Sequence, residues 1–126
     1  VTVHCPLQDD TRGMIGAAEL ATMKPTAYVI NCARGGIVNE AALLDALSGG
    51  RLKGAALDVQ VSEPPKPDDP LLACDRLILT PHSATATSET YIRSAKTVAQ
   101  NVLDMFDGRL PESHVFNPEV LKRLKK

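Results

Sequence analysis

Three residues of different chemical type each follow a short apolar segment of the chain. Arg34 comes after AYVINC, Glu63 after GAALDV and His82 after RLILTP. In an open parallel sheet, ligands bind in the crevice outside the carboxyl ends of the strands, so residues that follow strands can share one site. A fixed cation, a carboxylate and an imidazole could together bind a small anion and move a proton near neutral pH.

Each of these residues also has a purely structural interpretation when it is considered alone. Arg34 could pair with a surface partner on a rim loop, or present its planar guanidinium to a ligand carboxylate in a cleft. Glu63 could be an ordinary loop residue whose backbone is fixed by the two prolines after it. A lone histidine such as His82 is usually structural, but a nearby carboxylate favours the protonated ring and makes it a proton donor.

A fourth polar residue, Asp58, ends the apolar strand-like run GAALD. A carboxylate is too costly to leave unpaired in a core, so it must reach solvent or a polar partner. A loop hydrogen bond and a ligand contact are both compatible with this position.

Composition and charge argue against several classes of protein. The 126 residues carry a formal net charge of −1 and include two Tyr, two Phe and no Trp, which gives no basis for nucleic-acid binding. No apolar run approaches the ~18 residues of a membrane-spanning helix, and no signal-peptide pattern is present, so we expect a soluble protein. The basic residues near the end are expected to form a solvated tail rather than a polyanion site: Lys122, Arg123, Lys125 and Lys126.

The cysteines and the remaining histidines do not suggest a metal. Cys5, Cys32 and Cys74 are odd in number, far apart and without a CxxC pair. This pattern speaks against a disulfide framework and a zinc site, and it favours a reducing cytoplasm. His4, within the first apolar segment, and His114, near the end, are predicted to be structural.

Strand-like and helix-like segments alternate, which is typical of a parallel α/β sheet with helices on its faces. Strands are predicted for VTVHC, AYVINC, GAALDV and RLILT, and helices for residues 17–23, 40–48 and 88–107. Asn39 is predicted to cap the second helix. The glycine pairs at 35–36 and 49–50 are predicted to be turns, and the proline-rich SEPPKPDDP an extended loop.

Two helices carry predicted apolar faces. In the second helix the face consists of Leu43, Leu44 and Leu47. In the third it consists of Ile92, Ala95, Val98, Ala99, Val102, Leu103 and Phe106.

The common phosphate-binding and nucleophile motifs are absent from the chain. It contains no GxGxxG, no GxxxxGK[ST] and no GxSxG, so no motif by itself establishes nucleotide binding or a serine nucleophile. The sequence begins at Val1, inside an apolar stretch and without an initiator methionine. We therefore expect it to be a segment of a longer protein.

Residues 1 to about 110 resemble the second half of the dinucleotide-binding domain of the D-isomer-specific 2-hydroxyacid dehydrogenases. The resemblance rests on VHCPLQDDTRGMIG, on the continuous block AELATMKPTAYVINCARGGIVNEAALLDALSGGRLKGAALDV, on the Glu-Pro pair that follows, and on LILTPH. NCARGG is most similar to the phosphoglycerate dehydrogenase branch, and glyoxylate and hydroxypyruvate reductases carry similar strings.

The resemblance implies a fold and a division of the chain. Residues 1–87 would form the second half of a Rossmann-like, doubly wound parallel sheet with flanking helices. Residues 88–108 would form a long crossover helix, and residues 109–126 a tail that returns to a substrate domain.

The resemblance also implies a role for each candidate residue. Arg34 would bind the substrate carboxylate and polarise the 2-keto oxygen, His82 would be the general acid or base, and Glu63 would hydrogen-bond this histidine. The cofactor would be NAD or NADP, and Asp58 resembles the acid near the nicotinamide carboxamide. The positions implied to line the cofactor are Cys5, Pro6, Cys32, Ala33, Arg34, Asp58, His82, Ser83 and Ala84.

Two positions depart from the family pattern. Gln60 stands where an aromatic residue is usual, which predicts altered packing of its loop. The segment SATATSET after His82 lacks the glycine common there, so the backbone on the cofactor side is expected to differ. The glycine-rich fingerprint and the acid that reads the ribose would precede Val1.

We therefore expect the parent protein to be an NAD(P)-dependent 2-hydroxyacid dehydrogenase. Its substrate would be a small 2-keto or 2-hydroxy acid, and it would be a cytoplasmic homodimer without nucleic-acid or membrane partners. A nucleotide-sensing corepressor of the same fold is an alternative, which an added peptide-binding region would favour. A third possibility is a segment without activity of its own, which titration with NADH would reveal.

Overall fold

Four short parallel strands form the sheet on which the candidate site is built. In the computed structural model, which describes residues 1–121, they are β1 (Thr2–Val3), β2 (Tyr28–Asn31), β3 (Gly54–Leu57) and β4 (Leu77–Leu79). They lie in the order β1-β2-β3-β4, and every neighbouring pair is parallel. The predicted parallel α/β sheet is therefore confirmed, and its carboxyl ends share one edge.

The connections between the strands contain three short helical segments. They are α1 (Ala17–Ala21), α2 (Glu40–Ser48) and a 3₁₀ helix at Pro70–Ala73, which lies at the end of the predicted extended loop and was not anticipated. Since the strands are added in one direction and such crossovers are right-handed, the connections should cover one face of the sheet.

The burial of β2 agrees with this one-sided arrangement. Val29 and Asn31 are buried, while Tyr28 and Ile30 on the opposite face are exposed. The apolar core lies on the covered face and consists of Val3, Leu20, Val29, Ile37, Val38, Leu43, Ala46, Leu47, Leu52, Ala55 and Leu57.

Helix α2 begins and ends where its sequence predicts. The side-chain oxygen of Asn39 accepts a hydrogen bond from the Ala42 N–H at 2.9 Å, which confirms the predicted cap. After the helix, Gly50 has a φ of 69°, a left-handed conformation that glycine adopts without strain. The helix is therefore fixed at both ends by local chemistry.

The buried stripe of α2 differs slightly from the predicted one. Leu43 and Leu47 are fully buried, but the third buried residue is Ala46 rather than Leu44, which is only partly buried. The smaller residue suits the side of the helix that contacts α1, because it allows the two helices to approach.

All four strands and helix α1 are shorter than predicted. Helix α1 ends at Ala21, because the N–H and the hydroxyl of Thr22 both turn back to the Glu19 carbonyl, at 3.1 and 2.7 Å. Strand β1 ends at Val3, so the expectation that His4 lies within a strand is wrong. His4 is exposed, and its Nε2 hydrogen-bonds with the Thr2 hydroxyl at 2.8 Å.

The chain divides into two compact units, Val1–Ala84 and a second that begins at Thr85. The main element of the second unit is α3 (Ser88–Phe106), which Thr87 caps by accepting from the Thr90 N–H at 3.2 Å. Gly108, with a φ of 67°, follows its end. The helix has no buried residue, and its predicted apolar face is largely exposed.

The remainder of the second unit contains two 3₁₀ helices, Glu112–His114 and Pro118–Val120. The basic residues predicted to form a solvated tail lie outside the described residues. None of the helices described within residues 1–121 combines the length and apolarity needed to cross a membrane.

The cap of α2 makes a testable contribution to stability. Asn39→Ala removes the acceptor for the Ala42 N–H and should lower the free energy of unfolding by about 1 kcal/mol. Asn39→Asp keeps an acceptor oxygen and should change it by much less. Urea unfolding of the variants measures the difference, and equal stability of Asn39→Ala and the wild type would contradict the assigned cap.

Candidate active site

The candidate residues lie on loops that leave one edge of the sheet. Arg34 follows the end of β2, Asp58 and Glu63 follow the end of β3, and His82 follows the end of β4. Because the strands are parallel and adjacent, these loops are neighbours at the carboxyl edge. All of these residues belong to the unit Val1–Ala84.

Glu63 and His82 form a direct pair. Glu63 Oε2 lies 2.7 Å from His82 Nδ1, and both side chains keep solvent access, with 36% and 49% exposed. The second carboxylate oxygen, Oε1, accepts the Gln60 N–H at 2.9 Å. The hydrogen bond with the His82 ring, followed by the one from Gln60, lowers the pKa of Glu63 below its usual range.

This pairing fixes the orientation of the imidazole. An ionised carboxylate only accepts hydrogen bonds, so Nδ1 of His82 must carry the proton that it shares with Glu63. Within the unit Val1–Ala84, Nε2 makes no hydrogen bond to the protein. The ring therefore presents Nε2 as the nitrogen that can exchange a proton with a ligand.

The backbone of His82 adopts an unusual conformation. Its φ is 51°, in the left-handed region that residues other than glycine rarely occupy. The loop holds this conformation through the His82 N–H, which donates to the Asp58 carbonyl at 2.8 Å. Such conformations cost energy and persist where the surrounding structure determines them, as at many functional sites.

Asp58 supplies most of that surrounding structure. Asp58 is only 4% exposed. Oδ1 accepts from the Thr80 hydroxyl at 2.5 Å and from the Ser83 N–H at 2.9 Å, and Oδ2 accepts from the Ala84 N–H at 2.9 Å. Of the two interpretations left open by the sequence, the loop hydrogen bond is thus present in the structure.

The ionisation of Asp58 follows from these contacts. Burial by itself would raise the pKa, but the hydrogen bonds from Thr80, Ala84 and Ser83, with the nearby His82, outweigh it and lower the pKa below its usual range. A carboxyl group with a depressed pKa in the fold contributes stability at neutral pH. This contribution is lost as the pH falls from the ordinary value through the depressed one.

Arg34 is exposed and makes no hydrogen bond or salt bridge with Glu63 or His82. Its Nη1 donates to the Ala33 carbonyl at 2.7 Å, and among residues 1–121 the structure gives it no salt bridge. The guanidinium is therefore largely available to an external anion. It lines an open cleft of about 630 Å³ with Cys5, Pro6, Cys32, Ala33, His4 and Leu7.

The Arg34 loop is anchored by a residue that sequence reasoning missed. Asn31, the last residue of β2, is 1% exposed, and its amide donates to the Arg34 carbonyl at 2.9 Å. Its oxygen accepts the Ala33 N–H at 3.0 Å. An amide inside the apolar run AYVINC was the available signal, because a buried polar side chain needs partners.

The structure thus places the candidate residues in two groups. One lines the cleft beside β1 and β2. The other, with Glu63 and His82, lines a smaller cavity of about 180 Å³ with Gln60, Pro64, Pro65 and Pro81. Ser83 and Ala84 use their N–H groups on Asp58, so only their side chains and carbonyl oxygens remain for a ligand.

Metal chemistry receives no support from the part of the chain that the structure describes. Residues 1–121 contain no group of three or more His, Cys, Asp and Glu side chains that could hold a metal ion. The three cysteines in that range are free.

The fold and the edge of the sheet define a parallel α/β domain whose carboxyl-edge loops carry a carboxylate–imidazole pair and an exposed arginine. Residues 1–84 match the family described as D-isomer specific 2-hydroxyacid dehydrogenase, NAD binding domain. The chain belongs to this family, which confirms the predicted family and, at the level of the family, the nicotinamide cofactor.

Individual relatives agree with this assignment. The chain is 44% identical over 122 residues to a glyoxylate reductase of Aeropyrum pernix, covering 97% of this chain and 36% of the relative. It is 42% identical over 120 residues to a D-3-phosphoglycerate dehydrogenase of Methanocaldococcus jannaschii, covering 95% and 23%. Both branches named from the sequence are therefore found among its relatives.

Solved structures confirm the fold class. An NAD-complexed D-isomer specific 2-hydroxyacid dehydrogenase from Lactobacillus delbrueckii ssp. bulgaricus superposes with a TM-score of 0.83 at 33% identity, covering 90% of this chain and 38% of that one. The chain thus spans between 23% and 38% of the length of these three proteins.

The role of Asp58 in its loop can be tested by hydrogen exchange. Asp58→Asn removes the charge and turns an N–H₂ group toward a backbone N–H, so exchange at Ser83 and Ala84 should accelerate about tenfold or more. Thr80→Val, which leaves both of these N–H bonds in place, should have a smaller effect. Exchange rates measured by NMR that are the same in Asp58→Asn and the wild type would contradict the role.

Proposed function

We propose that the whole protein that carries this chain is an NAD(P)-dependent oxidoreductase that interconverts a small 2-keto acid and the corresponding 2-hydroxy acid. The observation that carries the proposal is the 2.7 Å contact between Glu63 and His82 at the carboxyl edge of the sheet. The relatives named as glyoxylate reductase and D-3-phosphoglycerate dehydrogenase support a substrate of this class.

His82 is proposed as the group that moves the proton. In reduction, protonated Nε2 donates to the substrate oxygen as it gains negative charge, and in oxidation neutral Nε2 accepts the hydroxyl proton. Glu63 accepts the hydrogen bond from the other ring nitrogen, Nδ1–H, and its negative charge stabilises the positive ring. The left-handed backbone of His82 supports this role, since such conformations persist where the surrounding structure determines them, as at many functional sites.

Arg34 is proposed as the group that binds the substrate. A guanidinium matches a carboxylate in a bidentate pair, and this one has a single hydrogen bond within the described residues. Binding the carboxylate would orient the 2-keto carbon and its oxygen toward His82, and the positive charge would favour the developing alkoxide.

The residues at the sheet edge fit the nicotinamide end of the cofactor, which supplies or accepts a hydride when bound. A carboxylate offers about four acceptor positions, and Asp58 uses three of them within the chain. The remaining position suits the N–H donor of a carboxamide. Cys5, Pro6, Cys32 and Ala33 would line the adjacent cleft.

We also propose an oligomeric state, a division of the chain and a cellular location. The resemblance supports a homodimer and a division into a nucleotide-binding part at 1–87, a crossover helix at 88–108 and a tail at 109–126. The free cysteines of the described residues support a cytoplasmic location.

Removal of the two proposed reacting groups should separate turnover from binding. His82→Ala should lower kcat for 2-keto acid reduction by about 10²–10⁴, the usual contribution of a positioned proton donor. Arg34→Ala should raise KM for the 2-keto acid and lower kcat as well. Arg51→Ala, which removes an exposed arginine before β3, is the control. Steady-state kinetics of the whole protein with near-wild-type rates in both variants would refute the proposal.

The carboxylate partner should set the pH range of activity. Because the pKa of Glu63 is lowered, its side chain is anionic throughout the neutral range and supports the protonated ring. Glu63→Gln removes this negative charge from the ring, so the pH–rate profile of kcat/KM for reduction should change. A pH–rate profile of kcat/KM identical to that of the wild type would show that Glu63 does not control the proton donor.

A further inference from the structure

The loop that carries Glu63 is attached to two other parts of the domain through one peptide group. The Val61 N–H donates to Oε1 of Glu40, at 2.7 Å, across 21 positions of sequence. Glu40 is the first residue of α2. A carboxylate from the start of a helix therefore binds the backbone of the proposed catalytic loop directly.

The same peptide group packs against the loop that carries Arg34. A Cβ atom added to Gly35 would lie 2.0 Å from the carbonyl oxygen of Gln60 and 2.7 Å from the nitrogen of Val61. No side chain fits at these distances, so only glycine lets the two backbones approach this closely. The loops after β2 and β3 are thus in contact through their backbones.

Gln60, whose carbonyl belongs to this peptide group, connects it to Glu63. The Gln60 N–H donates to Glu63 Oε1 at 2.9 Å, which leaves Oε2 for His82. The Gln60 side chain is buried, with the residue 7% exposed, and its Nε2 donates to the Leu57 carbonyl at 3.3 Å. The orientation of the Gln60 backbone therefore decides which way the Glu63 carboxylate faces.

Glu40 makes this contact against an electrostatic cost. Burial, and then the charges of Asp69 and Glu63, raise the pKa of Glu40, although the Val61 N–H acts in the opposite direction. A glutamate at the first position of a helix needs no such partner, because the helix dipole already favours its charge. The contact with Val61 is thus better explained by the loop than by the helix.

We propose that Glu40 and Gly35 are positioning residues that fix the Gln60–Val61 peptide group and thereby aim the Glu63 carboxylate at Nδ1 of His82. Glu40 accepts the hydrogen bond from the peptide N–H, and Gly35 allows the peptide group to lie close to the loop after β2. The two loops then move together, which keeps the proposed cation and the proposed proton donor in register. The catalytic meaning of this arrangement rests on the proposed function, but the positioning itself does not.

The test compares variants of Glu40 in the whole protein. Glu40→Ala removes the acceptor for the Val61 N–H, whereas Glu40→Gln keeps a carbonyl oxygen in the same place. Glu19→Ala is the matched control, because Glu19 also accepts a backbone N–H at a helix start, from Gly16 at 2.9 Å, but belongs to α1 and does not contact the Glu63 loop. All three variants lose or alter a comparable surface contact.

The first measurement needs no substrate or cofactor. The ¹⁵N chemical shifts of the His82 ring, assigned with His82→Gln, report which nitrogen carries the proton in the neutral ring. We expect a fixed Nδ1–H form in the wild type, in Glu40→Gln and in Glu19→Ala, and a mixture of both forms in Glu40→Ala. Equal ring shifts in Glu40→Ala and the wild type would overturn the proposal.

The second measurement is the division between kcat and KM for 2-keto acid reduction. Glu40→Ala should lower kcat about tenfold with little change in KM, since about 1.4 kcal/mol of positioning corresponds to one decade in rate. Glu40→Gln should recover most of this loss, and Glu19→Ala should show none. A loss in Glu19→Ala as large as in Glu40→Ala would mean a general effect of stability and would also overturn the proposal.

The test can also be decided if Glu40→Ala does not fold or if the wild-type protein is inactive. If Glu40→Ala does not fold, Glu40→Asp replaces it in the test. This variant keeps the charge at the start of α2 but has a side chain shorter by one methylene group. We expect it to show the same mixture of His82 ring forms and the same loss of kcat. If the wild-type protein reduces no 2-keto acid, the proposed function fails, while the ring shifts of His82 still decide the positioning. Gly35→Ala should disturb the same ring, because its new methyl group must displace the Gln60 carbonyl.

Discussion

The hydrogen bond between Glu63 and His82 is the interaction on which the rest of the site depends. It joins the loops after two adjacent parallel strands, so it exists only if both loops keep their positions at the edge of the sheet. Neither side chain is buried, and an isolated surface pair of this kind would contribute little to stability. Its geometry must therefore come from the backbone and from the buried groups beneath it.

Three residues with little exposure hold the loops of the site through hydrogen bonds. Asn31 fixes the Arg34 loop, Asp58 fixes the His82 loop, and Gln60 orients Glu63. Each is nearly inaccessible to water, and each hydrogen-bonds with backbone groups of its loop. Buried polar groups that all have hydrogen-bond partners favour a single conformation, and here they do so for three loops. The positions of the exposed arginine, glutamate and histidine thus depend on these three buried residues.

Much of the fold could be predicted from the sequence because its signals are local. Asn39 before EAALLDALS and the glycines after it specify α2 without reference to the rest of the chain. The buried runs AYVINC and GAALDV likewise specify the strands that precede the site. Even the placement of Arg34, Glu63 and His82 at one edge follows from the single rule that parallel strands end together.

The contacts that give the site its geometry were not predictable in the same way. The sequence presents Asp58 as a lone acid, and nothing near it indicates that Thr80, Ser83 and Ala84 will satisfy it. The approach of Gly35 to Gln60 joins positions 25 residues apart, and a Gly-Gly pair predicts only a turn. These contacts depend on how the loops pack after the sheet has formed, which local patterns do not encode.

The proposed chemistry requires Arg34 and His82 to converge on one small anion. A crystal structure of the whole protein with an unreactive analogue of a 2-keto acid, such as oxamate, tests it most directly. We expect one bound molecule whose carboxylate pairs with Arg34 and whose carbonyl oxygen lies about 2.6–3.2 Å from Nε2 of His82. An analogue bound away from either side chain, or His82 turned so that Nε2 faces Glu63, would contradict it.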